Sequence, residues 1–186
     1  MCTPSRIVGI VVAVGLASAC TSEKNAGSSA ATSATTPATS AWTVTPSGIG
    51  PIRVGMSAAD LKRVGGDITL PDSGAECVYV RPPNAPSGVL VMLAHGQVAR
   101  VDIDSAGVQS DAGVAVGDSV ARVIQAYAGR VTVTPHKYVQ GAQYLTVQSP
   151  SLQDSTRRIV FESDSGHVKR FRSGRVPEVE WVERCG

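Results

Sequence analysis

Aromatic side chains are scarce in this 186-residue chain: two Trp, two Phe and four Tyr, 4% in all. A core drawn from it must consist mainly of Val, Leu, Ile and Ala, and a hydrophobic content of 42% suffices for one ordinary domain or two very small ones. Charge of one sign is also lacking. The 17 Lys and Arg against 15 Asp and Glu leave a net +2, without the concentrated basic face that nucleic-acid binding needs. Only one long uncharged apolar run occurs, residues 7–19, and it is shorter than the roughly 20 residues that span a bilayer. Motifs of chemistry are missing as well. There is no Gly-x-Ser-x-Gly elbow, phosphate loop or dinucleotide fingerprint, since Pro51 interrupts the glycines at 48, 50 and 55. The three histidines, His95, His136 and His167, include no i, i+4 pair. Glycine turns account for His95 and His167, so no metal and no cofactor is expected. Asp102 and Asp104 lie two apart on a strand, but Arg100 beside them makes a salt-bridge face the simpler reading than an acid–base pair. No catalytic residue is expected.

What is present begins with an export signal. Arg6 is the only charged side chain before the apolar run, and the run matches the core of a signal peptide. It closes on Leu16-Ala17-Ser18-Ala19-Cys20, small residues before a cysteine, which resembles the lipobox of bacterial lipoproteins. The resemblance implies cleavage before Cys20, diacylation of its sulfur and attachment to a membrane. Ordinary cleavage after Ala19 would leave Cys20 unmodified. A lipidated cysteine is favoured because a tether follows: residues 21–41 hold sixteen Ala, Ser or Thr and no large apolar side chain. Such a coil has ends roughly 25 Å apart, enough to clear lipid headgroups. Thr21 is not the aspartate of inner-membrane retention in enteric lipoproteins. The resemblance therefore places the protein outside the cytoplasm, on the outer membrane facing the periplasm if the cell has two membranes. The expected organisation is a signal peptide at 1–19, lipidated cysteine and disordered tether at 20–45, a first unit at 46–110 and a second at 111–186.

On the lipoprotein reading Cys2 leaves with the leader and Cys20 carries lipid, so Cys77 and Cys185 remain. In an oxidising compartment they are most simply a disulfide. The alternative is a nucleophilic thiol paired with a histidine.

The remainder reads as two copies of one unit. Gly55-Met56-Ser57 and Gly117-Asp118-Ser119 each open a helix, with Ser57 and Asp60 spaced as a capping box and Gly65 or Gly66 as a stop. Val120, Val123, Ile124 and Tyr127 form one apolar stripe. Strands are predicted at 77–80, 89–94 and 97–104, then 144–148, 158–163 and 167–172, with a last one at 178–185. The expected fold is α+β: two tandem helix-plus-antiparallel-meander units forming one sheet, with helices on one face. Alternation puts Val101, Ile103 and Phe171 on the covered side, and Arg100, Asp102, Arg170 and Arg172 on a side expected to be wet.

The Gly-Met-Ser opening, short helix and meander, duplicated in an exported chain, look like the small domains of outer-membrane assembly lipoproteins (the SmpA/OmlA or BamE-like family). The tandem is also similar to the secreted β-lactamase inhibitory proteins. The first resemblance implies a non-catalytic anchored protein that presents a sheet face to another envelope protein. The second implies an inhibitor of a secreted or envelope enzyme, for which Tyr138 and Tyr144 are the nearest aromatics. Arg100, Arg158, Arg170 and Arg172 are the candidate contacts, on a strand edge whose basic side chains also discourage edge pairing.

Overall fold

The computed structural model describes residues 42–70, 75–151 and 154–185. The expected signal peptide at 1–19, Cys20 and the expected tether as far as residue 41 lie outside the described residues. The ordered chain opens with a small antiparallel sheet of β1 (Val44–Thr45), β2 (Gly48–Ile49) and β3 (Ile52–Arg53). Gly50, at φ 50°, makes the tight return from β2 to β3. β1 is also held from outside, by Val44 N–H to the Gln109 carbonyl at 2.9 Å and Asp111 N–H to the Val44 carbonyl at 2.7 Å.

The two helices start as their sequences require. Ser57 caps α1 (Ala58–Gly65), its Oγ accepting from Asp60 N–H at 3.1 Å, and Gly66 at φ 99° ends it by donating to the Lys62 carbonyl. Ser119 caps α2 (Val120–Ala126) in the same way through Arg122 N–H at 3.2 Å. Seven further strands form one antiparallel sheet: β4 (Cys77–Val80), β5 (Val89–Ala94), β6 (Gln97–Ile103), β7 (Val131–Pro135), β8 (Gln143–Gln148), β9 (Arg157–Asp164) and β10 (His167–Arg175). Their order is β4-β5-β6-β10-β9-β8-β7.

Both helix starts dock on a hairpin with matching bonds. Gly55 N–H reaches the Val98 carbonyl, Val98 N–H the Met56 carbonyl, and Ala58 N–H the Gly96 carbonyl. Gly117, Val168 and Val120 repeat these bonds to Val168, Asp118 and Gly166. The hairpin turns match too: His95-Gly96 and Ser165-Gly166 both take positive φ at two successive residues, the geometry whose twist suits two-residue hairpins.

The core lies on one face of the large sheet. Val91, Val101, Ile103, Leu145, Ile159, Phe161 and Phe171 meet Ile49 and Ile52 of the small sheet, Leu61 of α1, and Val123 with Tyr127 of the α2 end. Three of the aromatics pack there: Phe161 stacks on Phe171 at 5.1 Å between ring centres, and Tyr127 tilts against Phe161 at 5.8 Å. β6 and β10 approach so closely at Gly174 that a Cβ would sit 2.5 Å from the Ala99 carbonyl oxygen.

The α+β expectation of two tandem units making one sheet with helices on one face is corrected. Among the described residues the protein is mostly β, with helices of only eight and seven residues and ten strands divided between two antiparallel sheets. The residues before α1 build a sheet of their own around glycine turns. After α2, the alternating Val131-Thr132-Val133-Thr134 adds a strand that the repeat pattern had passed over. The predicted last strand at 178–185 is also corrected. Pro177 has no N–H to continue a ladder, and the chain leaves the sheet there for a 3-10 turn, Glu178–Glu180.

Candidate binding face

Alternation placed the arginines on the right face but said nothing of what lies over it. Arg100 and Asp102 of β6, Arg172 of β10 and Glu162 of β9 all point away from the main core, yet they are buried, Arg100 to 2% and Arg172 to 3% exposure. The wet face expected from one-sided helix cover is therefore corrected at its centre. The cover begins with the 3-10 turn Glu178–Glu180, which lies against β6, β10 and β9, and runs on to Cys185 at β4.

That cover is tied down at both ends of the crossing. Arg100 pairs with Asp102 through Nε at 2.9 Å and Nη2 at 2.5 Å, while its Nη1 donates to the carbonyls of Glu178 at 3.1 Å and Trp181 at 2.6 Å. Tyr79 Oη donates to Asp102 at 2.9 Å; burial first, then the Asp102 charge, raise its pKa far above the usual tyrosine value. Arg172 donates from Nε to the Val179 carbonyl at 2.5 Å and from Nη1 to Glu162. At the far end Cys185 is bonded to Cys77 of β4, with 5.5 Å between the Cα atoms, so the expected disulfide is present. Met92, Ala94 and Ala99 form a small second core beneath it.

Glu162 is the hub of the other half. It accepts from Arg172 and, at 2.6 Å, from Arg170 Nε, and His136 Nε2 lies 3.7 Å away. His136 stacks on Tyr144 at 4.4 Å, and its Nδ1 accepts from the backbone N–H groups of Tyr138 and Val139. Burial pushes the Glu162 carboxyl up, but the charges of Arg172 and Arg170 and their hydrogen bonds outweigh it, and the pKa ends below the ordinary value of 4.5. A depressed folded pKa contributes stability above 4.5 that is lost as pH falls through the lowered value. Glu162→Gln should therefore cost stability at neutral pH, with the gap to the wild type narrowing below pH 4.5. Denaturant melts across that range check it, and a gap independent of pH would refute the ion-pair account.

Arg170 and Arg158 remain accessible, with side chains 53% and 27% exposed, and Arg158 pairs with Glu180. So two of the four candidate arginines reach solvent, and Arg100 and Arg172 act chiefly inside the sheet's cover. Asp102 and Asp104 are not brought together: the first is ion-paired and buried, the second exposed at the strand end. His95 sits in its turn, and no group of three metal-ligating side chains occurs among the described residues.

Beside the cover, a groove of about 380 Å³ runs over β7, β8 and β9, lined by Thr132, Thr134, Thr146, Arg158 and Arg172, with Glu180 on its wall. Sequence reasoning missed Glu162 and these threonines. The signal lay in the alternation of residues 131–134 and in Glu162, which shares the strand parity of Arg158.

No family model matches the chain, and no curated protein matches it. Among solved structures it is similar to the uncharacterized protein yfeY from Escherichia coli, with a TM-score of 0.37 and 13% identity over 72% of this chain and 99% of that one.

Proposed function

We propose that this is a non-catalytic, lipid-anchored protein of the cell envelope, held by acyl chains on Cys20, that binds another envelope protein along the open edge of its large sheet. The anchor reading is supported by the small residues before Cys20 and the Ser/Thr/Ala tether after it. Among the described residues no helix is long and apolar enough to cross a membrane.

The observation that carries the partner is β7. It is an edge strand without a charged side chain, Val133 is 41% exposed, and the loop after it exposes Tyr138 and Val139. Uncharged apolar edges are sites that proteins ordinarily blunt, because they accept another strand. His136 N–H bonds the Ala142 carbonyl and Gln148 N–H bonds the Arg130 carbonyl, so residues 130, 132, 134 and 136 face β8. Val131 and Val133 thus turn their N–H and C=O groups outward, and Pro135 offers a carbonyl alone.

Two measurements test this. Cys20→Ser should move the protein from the membrane fraction to the soluble one; retention there overturns the anchor. A photoreactive residue at 133 should give one adduct of defined mass in intact membranes, with the yield cut severalfold by Val131→Lys. An adduct indifferent to that charge, or none, overturns the edge as the contact.

A further inference from the structure

We infer that the groove over β7, β8 and β9 is a binding site for a carboxylate carried on a small body rich in hydroxyl or amide groups, a ligand separate from any strand that pairs with β7. The inference rests on the charge balance of the covered face. Arg100, Arg158, Arg170, Arg172 and Arg175 are served there by Asp102, Glu162, Glu178 and Glu180. Five cations meet four anions, and the shortfall falls at Glu162, which Arg170 and Arg172 share.

Arg172 is the member of that pair that lines the groove. Its Nε and Nη1 are engaged, by the Val179 carbonyl and by Glu162, while Nη2 has no partner among the described residues. Arg158 reaches the same groove; it engages Glu180 through Nη1, and its Nη2 likewise has no partner among the described residues. Arg158 and Arg172, from two strands, thus line one cavity, where Arg172 shares its carboxylate with Arg170 and lies over the Tyr144 ring at 5.8 Å, on a floor partly removed from water. A planar monoanion that accepts from each fits that arrangement, since charge-assisted bonds to guanidinium are the stronger kind and gain in a low-dielectric setting. A phosphate dianion fits less well, because Glu180 and Glu162 stand within the same network and would repel the second charge.

The rest of the lining sets the body of the ligand. Thr132, Thr134 and Thr146 and the Gln148 amide supply donors and acceptors on the sheet side, and Val160 with Val182 supply apolar contact. A cavity of about 380 Å³ is near the lower end of small-molecule sites. A monosaccharide acid or the last residues of a peptide ending in a free carboxylate both present this chemistry.

The test titrates full-length protein in detergent with glucuronate, with N-acetylglycylthreonine, and with the uncharged glucuronamide and the C-terminal amide of the same peptide, read by calorimetry and by amide shifts of β7 to β9. At least one acid should bind saturably and at least tenfold more tightly than its amide. Binding by glucuronate alone identifies a sugar acid as the source, and binding by the peptide alone a chain terminus. Arg158→Gln should weaken the acid about tenfold and Thr146→Leu, which fills the groove, should abolish it; neither residue belongs to the buried centre of the network. Equal binding of acid and amide, binding insensitive to both substitutions, or no saturable binding by either acid overturns the inference. None of these outcomes depends on the anchor or on the strand read for β7, whose failure the membrane experiments report separately.

Discussion

Replacing Arg100 with Ala should lower the stability of the folded domain by about 3–5 kcal/mol, the cost typical of breaking a buried ion pair by removing one partner. The side chain is at 2% exposure and ties three elements at once. It neutralises Asp102 on its own strand and, through that carboxylate, orders the Tyr79 hydroxyl on β4. It also supplies the donor for two carbonyls of the segment crossing the sheet, those of Glu178 and Trp181. Truncation leaves a carboxylate without its cation and two carbonyls without a donor, each a desolvation penalty rather than a lost attraction. Denaturant unfolding measures the loss. Hydrogen exchange over residues 178–185 locates it, and should show these amides opening before the sheet. A cost under about 1 kcal/mol would mean that the pair is solvated and the cover open. A double change of Arg100 and Asp102 to apolar residues separates the two roles: it removes the stranded charge but still leaves the two carbonyls unmet. It should recover part of the stability and none of the protection at 178–185.

Breaking the disulfide is the second large effect. Cys77→Ser with Cys185→Ser should cost about 2–5 kcal/mol, within the range for native bridges that close long loops. The bond spans 108 positions and fixes the far side of the covering segment to the edge strand β4. Without it the segment is retained by noncovalent contacts only: the bonds from Arg100 and Arg172, the pairs of Arg175 with Glu178 and Arg158 with Glu180, and the Tyr138 bond to Glu183. The arginines beneath then become intermittently wet, and ion pairs that water reaches are screened by salt. The serine variant should therefore lose stability with added salt more steeply than the wild type. Limited trypsin digestion should cut after Arg184 in the variant and spare the bridged protein. Equal resistance of the two would show that the polar bonds suffice and that the bridge adds nothing to the cover.

Much of the local structure was legible in the sequence, and the reasons are local. Ser57 and Ser119 announced two helix starts because a side-chain acceptor there answers N–H groups that no helix can satisfy from within. Strands β4, β5, β6, β9 and β10 were readable because Val, Ile and Phe alternate or run continuously against glycine turns. The Cys77–Cys185 pairing followed once Cys2 and Cys20 were set aside. What escaped depended on contacts between distant segments. Val131-Thr132-Val133-Thr134-Pro135 is short and mostly exposed, and only its pairing with β8 makes it a strand. Glu178-Val179-Glu180-Trp181-Val182 alternates as a strand does, but Pro177 and the hold of Arg100 on two of its carbonyls turn it across the sheet instead. Alternation assigned Arg100 and Arg172 to the correct side. Their burial could not be inferred without knowing that residues 178–185 return over them.

The bond between Cys77 and Cys185 also makes most of the protein a covalent ring. It encloses β4 to β10 and α2, and leaves β1 to β3 and α1 on the linear stretch before it. A pull applied at the N-terminal side can draw out only what precedes Cys77. Residues 42–76, fully straightened, reach at most roughly 120 Å. Load is taken first by the paired bonds of Val44 to Gln109 and Asp111, and the ring beyond them cannot lengthen end to end while its link is intact. The small sheet is thus a yielding element in series with a body of fixed contour length.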